Sequence, residues 1–308
     1  MDFNISQQNT GLEEQKIREK EAQLAAVMDE YGKGPVCLAF SGGVDSSLIL
    51  KLACDTARRH GTKVWAVTFD TMLHPACDLE NAKKVAEEMD ASHVILAVNE
   101  LEQEELRNNP VNRCYLCKRR LFLRLQEFAL EKGCSVMLEG TNADDLKVYR
   151  PGLRAVRELG IQSPLADCGL TKKEVKTLAG RYGISTASRP STPCMATRLP
   201  YGARLDSDLL KRIEAGEEFL RQELFSEGRP GNVRLRVHGD TARLETDAGQ
   251  FSAVLEKRAQ ITERLKALGF TYITLDLEGF RSGSMDVNVK ASMPQTHTLP
   301  HSGTDFRP

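Results

Sequence analysis

Between Val36 and Ser47 the chain reads VCLAFSGGVDSS, an apolar run that turns on two glycines straight into a polar-headed helix. Val36 to Phe40 favour a strand. Ser41-Gly42-Gly43 allow a tight turn with little side chain in the way, and Asp45, Ser46 and Ser47 open a helix that continues through Leu48, Ile49 and Leu52. A strand that delivers a glycine turn to a helix N-terminus makes an anion site. The backbone can come close, its free amides point at the ligand, and the helix dipole favours negative charge. The hydroxyls of Ser41, Ser46 and Ser47 add donors. Asp45 would repel a bare phosphate, so it implies a Mg²⁺ between the two. There is no G-x-x-x-x-G-K-[ST], which rules out a Walker-type grip on the β- and γ-phosphates.

The segments that follow alternate. A charged helix over 12–32 precedes strand 36–40, and then come helix 46–60, strand 63–69, helix 78–90 and strand 93–98. Polar helical segments run to about 131, and strand 134–139 follows. Such alternation predicts an α/β fold, a doubly wound parallel sheet with ligands at the carboxyl ends of its strands. Thr171 and Glu174 form a capping box that starts a helix over 171–182. From 186 the texture changes to STASRPSTPCMATRLPYGARL, an extended loop. Helix 206–226, strands 232–238 and 241–246, helix 250–268 and strand 271–276 then predict a smaller α+β domain. The expected division is 1–33 as an N-terminal helix, 34–185 as the phosphate-loop domain, 186–290 as the α+β domain, and 291–308 as a tail with little to bury.

Eight cysteines in a long chain whose first residues carry acidic groups and no apolar core read as thiols rather than disulfides. The same N-terminus is neither a secretory signal nor a membrane anchor, so a cytoplasmic location is expected. Cys37, Cys54 and Cys134 sit in apolar patterns and read as core residues, whereas Cys77 and Cys168 sit in polar, turn-like surroundings. Cys114 and Cys117 form a C-x-x-C in a basic setting, which suits a zinc half-site, a redox pair, an iron–sulfur half-site or coincidence. Cys194 lies in the loop PCMATR. Three thiolates leave one metal position open, which suits a [4Fe–4S] cluster better than a structural zinc; separate roles for the three remain the alternative.

Glu139-Gly140-Thr141-Asn142-Ala143-Asp144-Asp145 follows a strand and should reach the same rim as the glycine turn. Its carboxylates read either as helix caps or as groups that orient Mg²⁺ or substrate. Arg234 and Arg236 alternate along one face of a half-buried strand. Two adjacent arginines need an anion or carboxylates opposite them, and a solvated face paired with Glu217, Glu218 or Glu245 is the bland account. Lys and Arg number 42 against 43 Asp and Glu, a net charge of −1 that offers nucleic acid or anionic membrane no general attraction.

The strings SGGVDSS, NRCYLCK, EGTNADD with YRPG, SPLADCGLTKKEV, RPSTPCMATRLPYG and VRLRVH, in this order from about Pro35 to Glu278, resemble the LarE family of ATP-dependent sulfur transferases. SGGVDSS is shared with NAD synthetases, GMP synthetases and tRNA thiolases; the PC-x-x-[ST]-R-x-PYG stretch is more particular. The resemblance implies an adenine nucleotide alpha hydrolase-like PP-loop fold, ATP with Mg²⁺, and a homo-oligomer. It also implies the reaction. A carboxylate of pyridinium-3,5-biscarboxylic acid mononucleotide is adenylylated with release of pyrophosphate, and sulfur then replaces AMP, building the nickel-pincer cofactor of lactate racemase. One subgroup sacrifices the loop cysteine's own sulfur, and another holds a [4Fe–4S] cluster on three cysteines. With Cys114, Cys117 and Cys194 all present, the chain resembles the second, and Cys194 as a sacrificial donor is the runner-up.

By position, Ser41, Gly42, Gly43, Asp45, Ser46 and Ser47, with Asp144, would bind ATP and Mg²⁺. Lys118 would balance charge at the acyl-adenylate, and Thr197, Arg198, Glu217, Arg234 and Arg236 would hold the substrate. A tRNA thiolase would share the loop and the cysteines but should carry a basic RNA-binding surface. An amidotransfer synthetase has no use for the three cysteines together. A nucleotide or iron–sulfur sensor would release no pyrophosphate.

Overall fold

The computed structural model describes residues 2–148, 150–187, 192–225, 231–281 and 283–285, with side chains from residue 11 onward. The expected tail 291–308 lies outside the described residues. The chain gathers into two compact units. One holds the residues up to Thr197 together with Tyr201–Ala215, and the other holds Arg198–Pro200 together with the chain from Gly216.

In the first unit, helix α1 (Asp2–Tyr31) leads to β1 (Val36–Ala39), α2 (Val44–His60), β2 (Val64–Asp70), α3 (Ala76–Glu88) and β3 (Ser92–Ala97). The one-turn α4 (Glu104–Arg107), α5 (Arg113–Glu131), β4 (Val136–Leu138), α6 (Gly152–Glu158), the one-turn α7 (Pro164–Asp167) and α8 (Lys172–Arg181) follow. The four strands form a sheet of order β3-β2-β1-β4, parallel throughout, as the strand–helix alternation predicts. Leu38 pairs with Ala66 on one side and Leu138 on the other, and all three are fully buried. Crossovers leave β1 toward β2 and β3 and return to its other edge as β4. Strand order therefore reverses between β1 and β4, the place where open α/β sheets bind ligands.

Several element bounds differ from the sequence reading. The strand expected over 134–139 contracts to Val136–Leu138, and Cys134 packs half-buried just before it. Cys168 is a correction: it is 5% exposed rather than set in polar surroundings. It closes the turn of α7 and packs with Leu165 and Leu170 in the main core, which local composition could not show. Cys77 is exposed, as its polar neighbours suggest. Thr171 does cap α8 through the predicted box with Glu174.

Helix α9 (Ser207–Leu224) contains the point at which the two units divide. The second unit adds β5 (Val233–His238), β6 (Thr241–Thr246), α10 (Phe251–Glu256), α11 (Arg258–Ala267) and β7 (Tyr272–Leu275). Its sheet runs β5-β6-β7, with β5 antiparallel and β7 parallel to β6. The single helix expected over 250–268 is interrupted at Lys257. No helix among the described residues is long and apolar enough to cross a membrane.

Candidate functional site

The glycine turn sits where β1 hands over to α2. Gly43 is the extended N-cap of that helix (φ −78°, ψ 161°), so the helix starts at Val44, ahead of the expected position. Gly42 holds φ 70°, and a Cβ there would lie 2.8 Å from the Ala82 backbone; only glycine fits. Asn81 Nδ2 donates to Gly42 O at 2.7 Å and pins the turn to α3. Ser46 Oγ donates to Gly43 O at 3.1 Å and lies 3.2 Å from Ser41 Oγ. The Ser47 hydroxyl is fully buried with no hydrogen-bond partner among the described residues. These donors and hydroxyls line a turn shaped for phosphate oxygens.

The loop after β4 closes on the same turn. A Cβ on Gly140 would meet Ser46 N at 3.0 Å, so the two loops touch through backbone. Asn142 Nδ2 donates to Asp45 Oδ1 at 3.1 Å, and Lys172 Nζ bonds Asp45 Oδ2. Asp144 accepts from the Lys172 backbone at 2.9 Å and from Lys147 Nζ, and Asp145 accepts from Asn142 N and pairs with Arg150. Both carboxylates thus tie down turns, and Asp144 also borders the Lys172–Asp45 pair. Asp45 presents the hard oxygen donors that a Mg²⁺ requires.

A second group converges beside this rim. Glu139 is 5% exposed, and its oxygens accept from Ser163 Oγ, from Thr141 N and from Lys118 Nζ at 3.2 Å. Burial disfavours its charge, but Lys118, Ser163 and Thr141 outweigh that and hold its carboxyl below the ordinary range. Lys118 directly follows Cys117 on α5. Cys114, at the start of that helix, is exposed, while Cys117 and Cys194 are half-buried.

The three thiols are close enough to act on one another. Burial first, then Glu100, Cys194 and Cys114, raise the Cys117 thiol well above its usual value. Burial likewise pushes Cys194 up to about 11, opposed by an Ala196 backbone bond and by Arg113, and reinforced by Cys114 and Glu100. The loop that carries Cys194 is anchored by the Met195 amide on Leu73 O at 2.8 Å. Thr197 Oγ1 donates to Cys194 O at 2.7 Å and so closes its own turn. The donor set suits a soft metal group in kind, being three gathered thiols. They are neighbours rather than a formed ligand sphere: no group of three His, Cys, Asp or Glu among the described residues is placed to hold a metal ion.

In the second unit the expected arginines meet their carboxylates, but not on a solvated strand face. Every residue from Val233 to Val237 is buried, with Arg234 at 8% and Arg236 at 4% exposure. The side-chain alternation holds; the half-buried face does not, because α9 and β6 contribute the carboxylates that cover it. Arg198 is almost wholly buried and makes a bidentate pair with Glu217, Nε and Nη2 each donating at 2.8 Å. Glu217 also accepts from Leu235 N at 2.9 Å. Arg236 Nε donates to Glu245 at 3.1 Å, and Arg243 and Ser284 share that carboxylate. Arg234 makes no ion pair among the described residues. It donates to Val233 O, lies over Phe280, and keeps its Nε unpartnered. Burial, then Arg198, lower its pKa to about 10. Among the described residues of this unit, three buried guanidiniums face two buried carboxylates, an excess of one cation.

Two participants were not singled out in the sequence. Lys172 is one of two lysines behind a capping threonine and reads as a solvated first turn. Glu100 follows β3 at the carboxyl rim, and that position was its only available signal.

A PP-loop domain model matches residues 16–159. The chain is 34% identical over 275 residues to the pyridinium-3,5-bisthiocarboxylic acid mononucleotide synthase of Lactiplantibacillus plantarum, spanning 89% of this chain and 96% of that protein. It is also 34% identical to an uncharacterized protein of Synechocystis over 81% of this chain and 91% of that one. An uncharacterized Methanocaldococcus jannaschii protein is 29% identical over 82% of this chain and 94% of its own. With an ATP-binding PP-loop at the switch point of its sheet and near full-length kinship to that synthase, the chain belongs to the LarE family of PP-loop ATP-dependent sulfur transferases.

Proposed function

We propose that the chain converts carboxylates of pyridinium-3,5-biscarboxylic acid mononucleotide to thiocarboxylates, the product for which its Lactiplantibacillus relative is named. What supports the sulfur-transfer half is the C-x-x-C of Cys114 and Cys117 at the start of α5, followed by Lys118, which reaches Glu139 at the PP-loop rim, with the Cys194 thiol near enough to raise that of Cys117. In this reading Ser41, Gly42, Gly43, Ser46 and Ser47 hold the ATP phosphates, while Asp45 and Asp144 serve the accompanying Mg²⁺. Lys172 must leave Asp45 for the metal to approach, and its ammonium is then free for the departing pyrophosphate.

The substrate carboxylate oxygen attacks the α-phosphorus, and pyrophosphate leaves with the electron pair. The acyl-adenylate is the electrophile that a carboxylate is not. Lys118 balances the charge that builds when sulfur adds to the acyl carbon, and AMP leaves as that carbon–oxygen bond breaks. Cys114, Cys117 and Cys194 would hold a [4Fe–4S] cluster, which when bound would supply sulfide-level sulfur. Arg234, with Arg198, Glu217 and Arg236 around it and Thr197 nearby in sequence, supports recognition of the substrate's phosphate or second carboxylate. In the second reading Cys194 gives up its own sulfur, a route favoured by its place in the PCMATR loop.

Incubation with MgATP and the biscarboxylate mononucleotide should yield one pyrophosphate and one AMP per thiocarboxylate, counted by mass spectrometry. Pyrophosphate release without any sulfur-containing product would sink the sulfur-transfer assignment for this substrate. Loss of about 34 Da from the protein, one H₂S per turnover, would select the sacrificial route.

A further inference from the structure

The first turn of α5 is built to attract negative charge and contains none of its own. Its N-cap, Asn112, makes no side-chain bond to the turn, and the turn carries no acidic residue. A helix start is ordinarily answered by such a cap or carboxylate. The Arg113 and Tyr115 amides bond Pro110 O and Asn112 O, while the Cys114 amide between them has no acceptor among the described residues. Where a carboxylate would be expected stands Arg113, only 4% exposed. Its Nη1 donates to Asn109 Oδ1 at 3.1 Å, and its guanidinium lies 4.4 Å from the centre of the Tyr201 ring. Neither partner is a carboxylate. Its Nε is buried with no hydrogen-bond partner, and Arg113 forms no ion pair among the described residues. The bond to Asn109, four residues back, folds the guanidinium over the chain that precedes the helix, the side to which free N-terminal amides point. Asn109 is itself fully buried at φ 47°, and its carbonyl accepts from Gly202 N at 3.0 Å, which fixes the Tyr201–Gly202 segment against the same turn. Glu100 instead meets Cys117 at 3.8 Å, and Glu139 takes Lys118. Helix dipole, free amide and buried guanidinium therefore converge, and burying such a cation alone is costly.

We propose that this turn is an anion site that binds hydrosulfide on its way into the reaction. The inference rests on the sulfur-transfer reading and names where the sulfur enters. One guanidinium N–H and one amide suit a small monoanion better than a phosphate, whose three oxygens each call for donors. Among small anions the chemistry selects hydrosulfide. It already has the oxidation level of thiocarboxylate sulfur, so its transfer balances with no electron gained or lost. Binding is noncovalent: Arg113 Nε–H and Cys114 N–H donate to the sulfur, and no bond to it forms or breaks at this stage. The place is apt, because the exposed Cys114 on the same turn begins the C-x-x-C.

The test titrates sodium sulfide, sodium bromide and sodium acetate in turn into the full-length protein, handled anaerobically and labelled with ¹⁵N-arginine. The readout is the Nε–H resonance that Arg113→Lys removes. A saturable shift is expected with sulfide and with bromide, a small spherical stand-in, and a weaker one with acetate. No shift of that resonance with sulfide would overturn the proposal. Saturation by acetate at a lower concentration than by sulfide would overturn it too, since the site would then belong to a carboxylate. A second arm follows thiocarboxylate formation against sulfide concentration. Arg113→Gln should need roughly tenfold more sulfide for half its maximal rate, a factor equal to about 1.4 kcal/mol, and Arg113→Lys, which keeps the charge, should fall between. Equal sulfide requirements in Arg113→Gln and wild type would overturn the entry role. Absence of thiocarboxylate from wild type at every sulfide concentration would overturn the sulfur-transfer reading instead, and the resonance titration then decides the anion site by itself. That titration is made on wild type, so it stands even where Arg113→Gln does not fold.

Discussion

The PP-loop and the buried arginine cluster of the second unit are built on opposite principles. The PP-loop offers backbone amides, small hydroxyls and a glycine at φ 70°, all from one stretch of sequence and ready for a ligand before it arrives. The buried arginines of the second unit are long, charged side chains set against carboxylates from other elements, Arg198 on Glu217 and Arg236 on Glu245. A backbone site costs little to keep empty, because its amides are weak dipoles. A buried guanidinium lattice must be neutralised to exist at all, so most of its charge is answered internally, and among the described residues Arg234 alone of the three has no carboxylate partner. The first arrangement suits a nucleotide that exchanges every turnover. The second suits rigid placement of one anion.

Three experiments sharpen or break that contrast. The largest stability effect is expected for Glu217→Ala, which strands Arg198 without its bidentate partner. Removing one member of such a buried pair costs about 3–5 kcal/mol, read as a shift of the urea midpoint. A loss under about 1 kcal/mol would mean that the lattice behaves like surface charge, and the contrast would fail. Gly42→Ala comes next. It forces a non-glycine residue to positive φ and drives a methyl against Ala82, costing about 2 kcal/mol. It should also abolish the rise in Tm that MgATP gives wild type. Retention of that rise would show that the turn tolerates a side chain.

The smallest effect concerns the acid limb. Glu139 has its folded pKa held below the unfolded value by Lys118, Ser163 and Thr141 against the cost of burial. The stability this contributes is present above the unfolded value and is lost as pH falls through the folded one. Glu139→Gln should therefore flatten the decline of unfolding free energy between neutral pH and the acid side of the carboxylate range, by on the order of 1 kcal/mol. An unchanged slope would place the linkage elsewhere.

Legibility in the sequence followed the range of the interaction. VCLAFSGGVDSS, the Thr171–Glu174 box and the strand–helix alternation are local patterns, and the structure contains each of them. The polar neighbours of Cys168 say nothing of the core that α7 folds it into. Glu217 and Glu245, two of the carboxylates expected near Arg234 and Arg236, are present, but the strand is buried rather than half-solvated, since the covering α9 helix lies outside any local window. Glu100 and Lys172 carried no motif, and their importance comes from what stands opposite them: Cys117 in one case and Asp45 in the other.

By itself, then, the sequence determined the parallel sheet and the phosphate turn at its rim, because hydrophobic period, glycine conformation and helix capping act over a few neighbouring residues, while the resemblance to a family of sulfur transferases was carried by its motif strings. Tertiary structure alone decided which charges are buried together, which carboxylate faces the thiols and which arginine remains uncompensated. Those outcomes depend on desolvation and Coulomb terms between side chains far apart in the chain, and such terms exist only once folding has excluded water and brought the groups within a few ångströms.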